Sequence, residues 1–244
     1  MTMKLKDSLQ CTLKNTLPLM STTNPHFLLP KLFPDEITFG KTVKDSQVPY
    51  TMKAFLHFCH SKNHLGPYLK TWHDCPVLTC PDQEVHIVDF LHGFAIKFKL
   101  FTSFPVSCCW TTQNKNSSMP GTDSPNKPDI VCLDPVNLVD FRTILTILEV
   151  KSSTMTKSEI FQLCAQHAWL IFSSQDMRHF VVTSLLHWDE LIIVLFNHGG
   201  SIVCSPFNIH SEPNTFAWFA LGFLCTTPPN LGYNPSVRTG TTRV

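Results

Sequence analysis

The order of elements readable in this sequence predicts an α/β domain, with α+β as the near variant, built on one mixed β-sheet with flanking helices. Three observations carry that expectation. Ile144 to Val150 (ILTILEV) is an apolar run broken only by Thr146 and Glu149, the composition of a strand buried on both faces. Thr156-Lys157-Ser158-Glu159 has the form of a capping box and opens a helical pattern directly after that strand. Strand-like runs then follow between His179 and Phe207, joined by short turns. Hairpin, helix, meander and helix, in that order, build one sheet with helices laid against it.

Taken along the chain, residues 1–81 read as an irregular or partly helical amino-terminal arm. Within it, Met52, Phe55, Leu56 and Cys59 follow the spacing of one helix face, which predicts a short helix from Tyr50 to His60. Residues 82–237 read as the α/β domain. Its first part, Asp82 to Phe104, is rich in Val, Ile and Phe between Pro81 and Pro105, and reads as one or two strands around His92-Gly93. Thr111 to Lys127 is polar and reads as an exposed loop. Asp129 to Leu133 is a short strand, Val136 to Arg142 a connection and Ile144 to Val150 the second strand. Lys157 to Ser173 is a helix whose buried face carries Ile160, Phe161, Cys164, His167 or Ala168, and Ile171. His179 to His187, Leu191 to Asn197 and Ser201 to Phe207 are strands, turning near Asp189 and at Gly199-Gly200. Pro213 opens a last helix to about Cys225, because the first turn needs no backbone donor, and Pro228-Pro229 stops it. Residues 238–244 read as a frayed tail.

Composition narrows the function. A chain of 244 residues with 43% hydrophobic and only 15% charged residues, including 19 Phe, is not a disordered one. A net charge of +1 supplies no global field for a nucleic acid or an anionic membrane, so nucleic-acid binding is left to local contacts. Leu191 to Phe196 and Phe216 to Cys225 fall far short of the ~18 to 20 apolar residues that span a bilayer, and no membrane partner is expected. The amino terminus, MTMKLKDSLQ, lacks the apolar run of a secretory signal, which points to an intracellular protein of cytoplasm or nucleus. The 10 Cys then read as buried free thiols. Phe27, Phe33, Phe39, Phe55 and Phe58 have no evident core within the arm, which points to a protein partner.

The chemistry-bearing pattern is Pro128-Asp129 followed, twenty residues later, by Glu149-Val150-Lys151. Alternate strand residues share a face, so Glu149 and Lys151 point the same way, and antiparallel pairing brings Asp129 beside them. Two carboxylates and a lysine at a strand end can hold a hard divalent cation, Mg²⁺ or Mn²⁺, on Asp129 and Glu149, with Lys151 stabilising developing charge at a phosphodiester. The alternative is a strand-start aspartate and a Glu/Lys pair on a strand edge. The arrangement resembles the PD-(D/E)xK motif of the restriction-endonuclease-like fold. Active members of that fold add a carboxylate from an upstream helix; Tyr50 to His60 has none, and Glu36, Glu84 and Asp89 are poor substitutes. Lys97, Lys99, Lys127, Lys151 and Lys157 are dispersed and form no basic stripe.

A wider resemblance runs from Lys127 to Val237. KPDIVCLD, ILEVK, the helix carrying Gln162-Leu163, FNHGGSIVCSPFNIH and LGYNPSV together resemble the region that precedes the kinase core in the fungal-type protein kinase family. The resemblance implies a nuclease-like domain with Asp129, Glu149 and Lys151 as its active site or its remnant, and a downstream kinase domain expected to begin near Val244. It implies an accessory or regulatory module, or a family member lacking the kinase lobe; the other reading is a metal-dependent nuclease. Phe94-Ala95-Ile96-Lys97 looks like the lysine strand of kinases, but no G-x-G-x-x-G precedes it and no H-R-D or D-F-G follows. Gly40-Lys41-Thr42 ends like a phosphate loop, yet Asp35 stands where its first glycine belongs. His57, Cys59, His60, His64, His73, Cys75, Cys80 and His86 lack the close Cys pair of a zinc site. Trp188, His198 and His210 read as packing and turn residues.

Overall fold

The computed structural model describes residues 20–33, 51–66, 71–76, 82–103, 106, 108–123, 125–225 and 228–234. The described strands form one mixed eight-stranded sheet, in the order β1 (Met20–Thr23), β7 (Gly200–Cys204), β6 (Glu190–Asn197), β5 (Phe180–His187), β4 (Ile144–Lys151), β3 (Ile130–Leu133), β2 (Cys109–Thr111), with β8 (Phe207–Asn208) also paired to β6. β1 runs parallel to β7 and β4 parallel to β5; the other pairings are antiparallel. The helices are α1 (Pro25–Leu32), α2 (Met52–Ser61), α3 (Gln83–Thr102), α4 (Lys157–Ser174) and α5 (Pro213–Cys225). The α/β class expected from the sequence is the class observed.

Both sheet faces are covered, which explains the apolar runs. Ile130, Cys132, Leu148, Val150, Val182 and Leu186 point into a core shared with α1, α2, α3 and α5. Their neighbours Val131, Leu133, Ile147, Val181 and Leu185 point the other way, against Ile160, Cys164, Ala165, Ala168 and Ile171 of α4. β4 is therefore buried on both sides, as its composition requires. The α4 capping box is complete: Thr156 Oγ1 accepts from Glu159 N–H and the Glu159 carboxylate accepts from Thr156 N–H.

The described residues Gln83–Thr102 differ from expectation. They form the single helix α3, not strands, because their buried residues Ile87, Leu91, Phe94, Phe98 and Thr102 recur at three and four and face α5. The β-branched and aromatic content suggested strands, but tertiary packing overrides propensity here. The strand expected from Ser201 to Phe207 is split, since Pro206 has no N–H for the ladder and Ser205 donates instead to the Thr23 carbonyl.

The phenylalanines of the arm also find a home. Phe33 and Phe55 are fully buried in the core built around α5, and only Phe27 is largely exposed among those described; Phe39 lies outside the described residues. α1 sits so close to α5 that a β-carbon on Gly222 would fall 2.1 Å from the Phe33 ring. His26 Nε2 lies 2.7 Å from Glu212 Oε2 and its Nδ1 lies 2.9 Å from Thr215 Oγ1, tying the two helices at the surface. At the far side of the sheet, buried Arg178 donates to the carbonyls of Leu231 and Leu145 and to Gln175 Oε1, and packs 4.1 Å from the Tyr233 ring. That contact pins the segment after α5 to the start of β5. The expected tail, 238–244, lies outside the described residues. No helix among them is long and apolar enough to cross a membrane.

Candidate functional site

The β3–β4 ladder builds the site. Ile130 pairs with Leu148, so the next step outward sets Asp129 against Glu149 at the end of both strands. Asp129 N–H donates to Glu149 Oε1 at 3.2 Å, and Val150 N–H donates to Asp129 Oδ2 at 3.0 Å. Lys151 Nζ lies 2.5 Å from Asp129 Oδ2 and 2.7 Å from Glu149 Oε2. The three side chains singled out in the sequence are thus in mutual contact.

A fourth member comes from α4. Ile147, Glu149 and Lys151 share the face that α4 covers, and His167 Nε2 lies 2.9 Å from Glu149 Oε1. The contact is close in distance but poorly aligned, so neither ring nitrogen of the buried His167 completes a hydrogen bond. Its signal in the sequence was a histidine on the buried face of a helix that follows a strand carrying a buried carboxylate.

Burial shapes the charges. Burial pushes the Asp129 carboxyl up and the neighbouring Glu149 charge adds to it, to about 6, although Lys151 and the Val150 N–H pull the other way. Burial also acts upward on Glu149, but His167 and Lys151 outweigh it and hold Glu149 below the ordinary carboxylate range. For Lys151, burial disfavours the charge, and the two carboxylates more than offset it and hold the ammonium above its ordinary value. The cluster is an ionised Glu149 and a charged Lys151, with Asp129 as the reluctant acid. Side-chain exposure runs from 28% at Lys151 through 17% at Asp129 to 4% at Glu149, so the site meets water along its Lys151 and Asp129 edge while Glu149 is sealed.

The other candidates are dispersed. Glu84 lies 3.6 Å from Lys115, and Asp89 is an exposed residue of α3; neither is a partner of Asp129 or Glu149, and Glu36 lies outside the described residues. Lys97 is on a helix, not a kinase-type strand, and pairs with Asp74 at 2.8 Å. Gly40-Lys41-Thr42 and Cys80 lie outside the described residues. On α2, Cys59 points into the core while His57 and His60 are exposed, and among the described residues no group of three or more His, Cys, Asp or Glu is gathered as a metal site. His198 contacts the Arg178 carbonyl at 3.1 Å, and His210 Nδ1 accepts from Trp72 N–H at 3.3 Å, both as packing residues.

Compared with known families, residues 131–244 match the family model described as fungal protein kinase. The match starts within β3, spans Glu149, Lys151 and His167, and covers just under half of the chain. It supports the family resemblance carried by the sequence. No curated protein and no solved structure matches.

Proposed function

We propose that this chain is a non-catalytic accessory or regulatory module of a fungal-type protein kinase, on a restriction-endonuclease-like core whose PD-(D/E)xK residues serve as a structural clamp. The core assignment is supported by the antiparallel β3–β4 pair, the capped α4 after it and β5 laid parallel to β4. The clamp reading is carried by one observation: the Lys151 ammonium lies between the two carboxylates, 2.5 Å and 2.7 Å from them, where a divalent cation would have to bind. An internal cation of this kind offsets one of the two carboxylate charges and ties the start of β3 to the end of β4. The accessory role is supported by the similarity to the kinase family over 131–244 and by a sequence holding no G-x-G-x-x-G, H-R-D or D-F-G.

The second reading, a metal-dependent nuclease, is favoured by the same convergence of Asp129, Glu149 and Lys151 at paired strand ends. Purified protein incubated with supercoiled plasmid and Mg²⁺ or Mn²⁺, beside Glu149→Ala and Lys151→Ala, separates the two. The clamp predicts no cleavage above that of the variants. Cleavage by the wild type that both variants lose would establish the nuclease and defeat the module.

A further inference from the structure

The β5–β6 turn carries a feature that packing does not explain. His187 pairs with Glu190, leaving Trp188 and Asp189 as a two-residue turn. Trp188 has φ 53°, in the left-handed region that glycine and asparagine favour and bulky residues avoid. Its ring is not in the core: the residue is 44% exposed, and its one described ring neighbour is His187 at 6.4 Å. The turn is held firmly all the same. Trp188 N–H donates to the Lys151 carbonyl at 3.2 Å, Ile209 N–H donates to the Asp189 carbonyl at 2.9 Å, and Glu190 pairs with Asn208 of β8.

Two acidic residues follow the exposed indole in the chain, Asp189 in the same turn and Glu190 at the start of β6. The Asp189 side chain is 54% exposed, its nearest basic group being His210 Nε2 at 3.7 Å, and Glu190 is exposed as well. Among the described residues no lysine or arginine forms an ion pair with either. An indole face attracts a cation, and acidic neighbours reinforce that attraction while repelling a polyanion. A planar guanidinium fits such a surface better than a compact ammonium, because it stacks on the ring and still donates sideways to carboxylates. We infer that the Trp188-Asp189-Glu190 turn is a docking hook for a basic protein segment, taking an arginine side chain against the Trp188 ring with Asp189 and Glu190 as its acidic flank. This names the partner chemistry of the module proposed above, and to that extent rests on it.

The test uses the full chain and a fluorescein-labelled peptide of arginines spaced by glycines, read by fluorescence anisotropy at low and moderate salt. Trp188→Gly removes the ring and suits the positive φ, so its folding is preserved or improved while peptide binding weakens roughly fivefold. Asp189→Asn with Glu190→Gln weakens binding and flattens its salt dependence. Unchanged affinity in Trp188→Gly, no saturable binding to the wild type, or tighter binding of an oligothymidylate than of the peptide would each overturn the hook. Its failure leaves the Lys151 clamp untouched, whereas Glu149-dependent plasmid cleavage defeats the module and does not alter the peptide result.

Discussion

Replacing Lys151 with methionine removes the ammonium while keeping an unbranched side chain. The Asp129 and Glu149 oxygens that faced Nζ at 2.5 Å and 2.7 Å are then left facing one another. Breaking a buried ion pair from one side costs about 3–5 kcal/mol, and the lower end applies because the lysine side chain is 28% exposed and Asp129 17%. At ~2–4 °C per kcal/mol for a chain of this size, a loss of about 3 kcal/mol lowers the melting temperature by roughly 6–12 °C. The vacated position lies between two carboxylates, so Mn²⁺ stabilises the variant, by about 2.7 kcal/mol at 100 times its Kd. The wild type, whose own cation fills that position, gains nothing from the metal. Urea unfolding followed by circular dichroism, with and without Mn²⁺, measures all four states. Equal Mn²⁺ stabilisation of wild type and variant refutes the idea that the lysine occupies the cation position; an unchanged midpoint in the variant refutes the idea that it holds the carboxylates together.

The remaining predictions concern the core and pH. Gly222→Ala places a methyl group 2.1 Å from the Phe33 ring, in a contact with no free volume, and lowers stability by about 2 kcal/mol despite the better helix propensity of alanine; a melting temperature at or above wild type would show that α1 does not pack there. Asp129 titrates near 6 when folded against an ordinary value of 3.8, so the folded state holds the extra proton between the two, and the contribution of Asp129 is greatest below about pH 4 and lost as pH rises through about 6. The stability of wild type relative to Asp129→Asn therefore falls by on the order of 2 kcal/mol from pH 4 to pH 7, and a rise over that range would contradict the charge assignment.

How much of this was legible in the sequence depended on how local its determinants are. β3, β4 and α4 were readable because the double-sided burial of β4 leaves a continuous apolar run and the α4 cap is written in four consecutive residues, Thr156 to Glu159. Asp129, Glu149 and Lys151 were readable because strand alternation and antiparallel pairing fix their meeting once the strands are placed. α3 was misread because Val85, Ile87, Val88 and Phe90 carry strand propensity, while the spacing that makes them helical is decided by α5, more than a hundred residues away. The partner inferred from the arm was, for Phe33, this chain's own α5 and, for Phe55, the phenylalanines of α3. β1 and α1 left no periodicity to find, since one is four residues long and pairs with β7, and the other is eight residues with Pro30 inside it.

The motif alone is compatible with both clamp and metal site, and access to the carboxylate oxygens is what supports the proposed clamp. Mg²⁺ dehydrates reluctantly and keeps several waters, so a site for it needs carboxylate oxygens that face solvent. Glu149 offers no such oxygen: one faces His167 and the Asp129 N–H, the other faces Lys151, and its side chain is 4% exposed. Asp129 Oδ2 is taken by Lys151 and the Val150 N–H, which leaves its other oxygen, at the solvent edge, as the one free position. No carboxylate from α2 or α3 reaches that edge. One open carboxylate oxygen favours the proposed clamp over a hard-cation site, because the other three oxygens already face Lys151, His167 or backbone N–H groups. α4 covers that unit through His167, and this closure is what the proposed clamp of β3, β4 and α4 rests on.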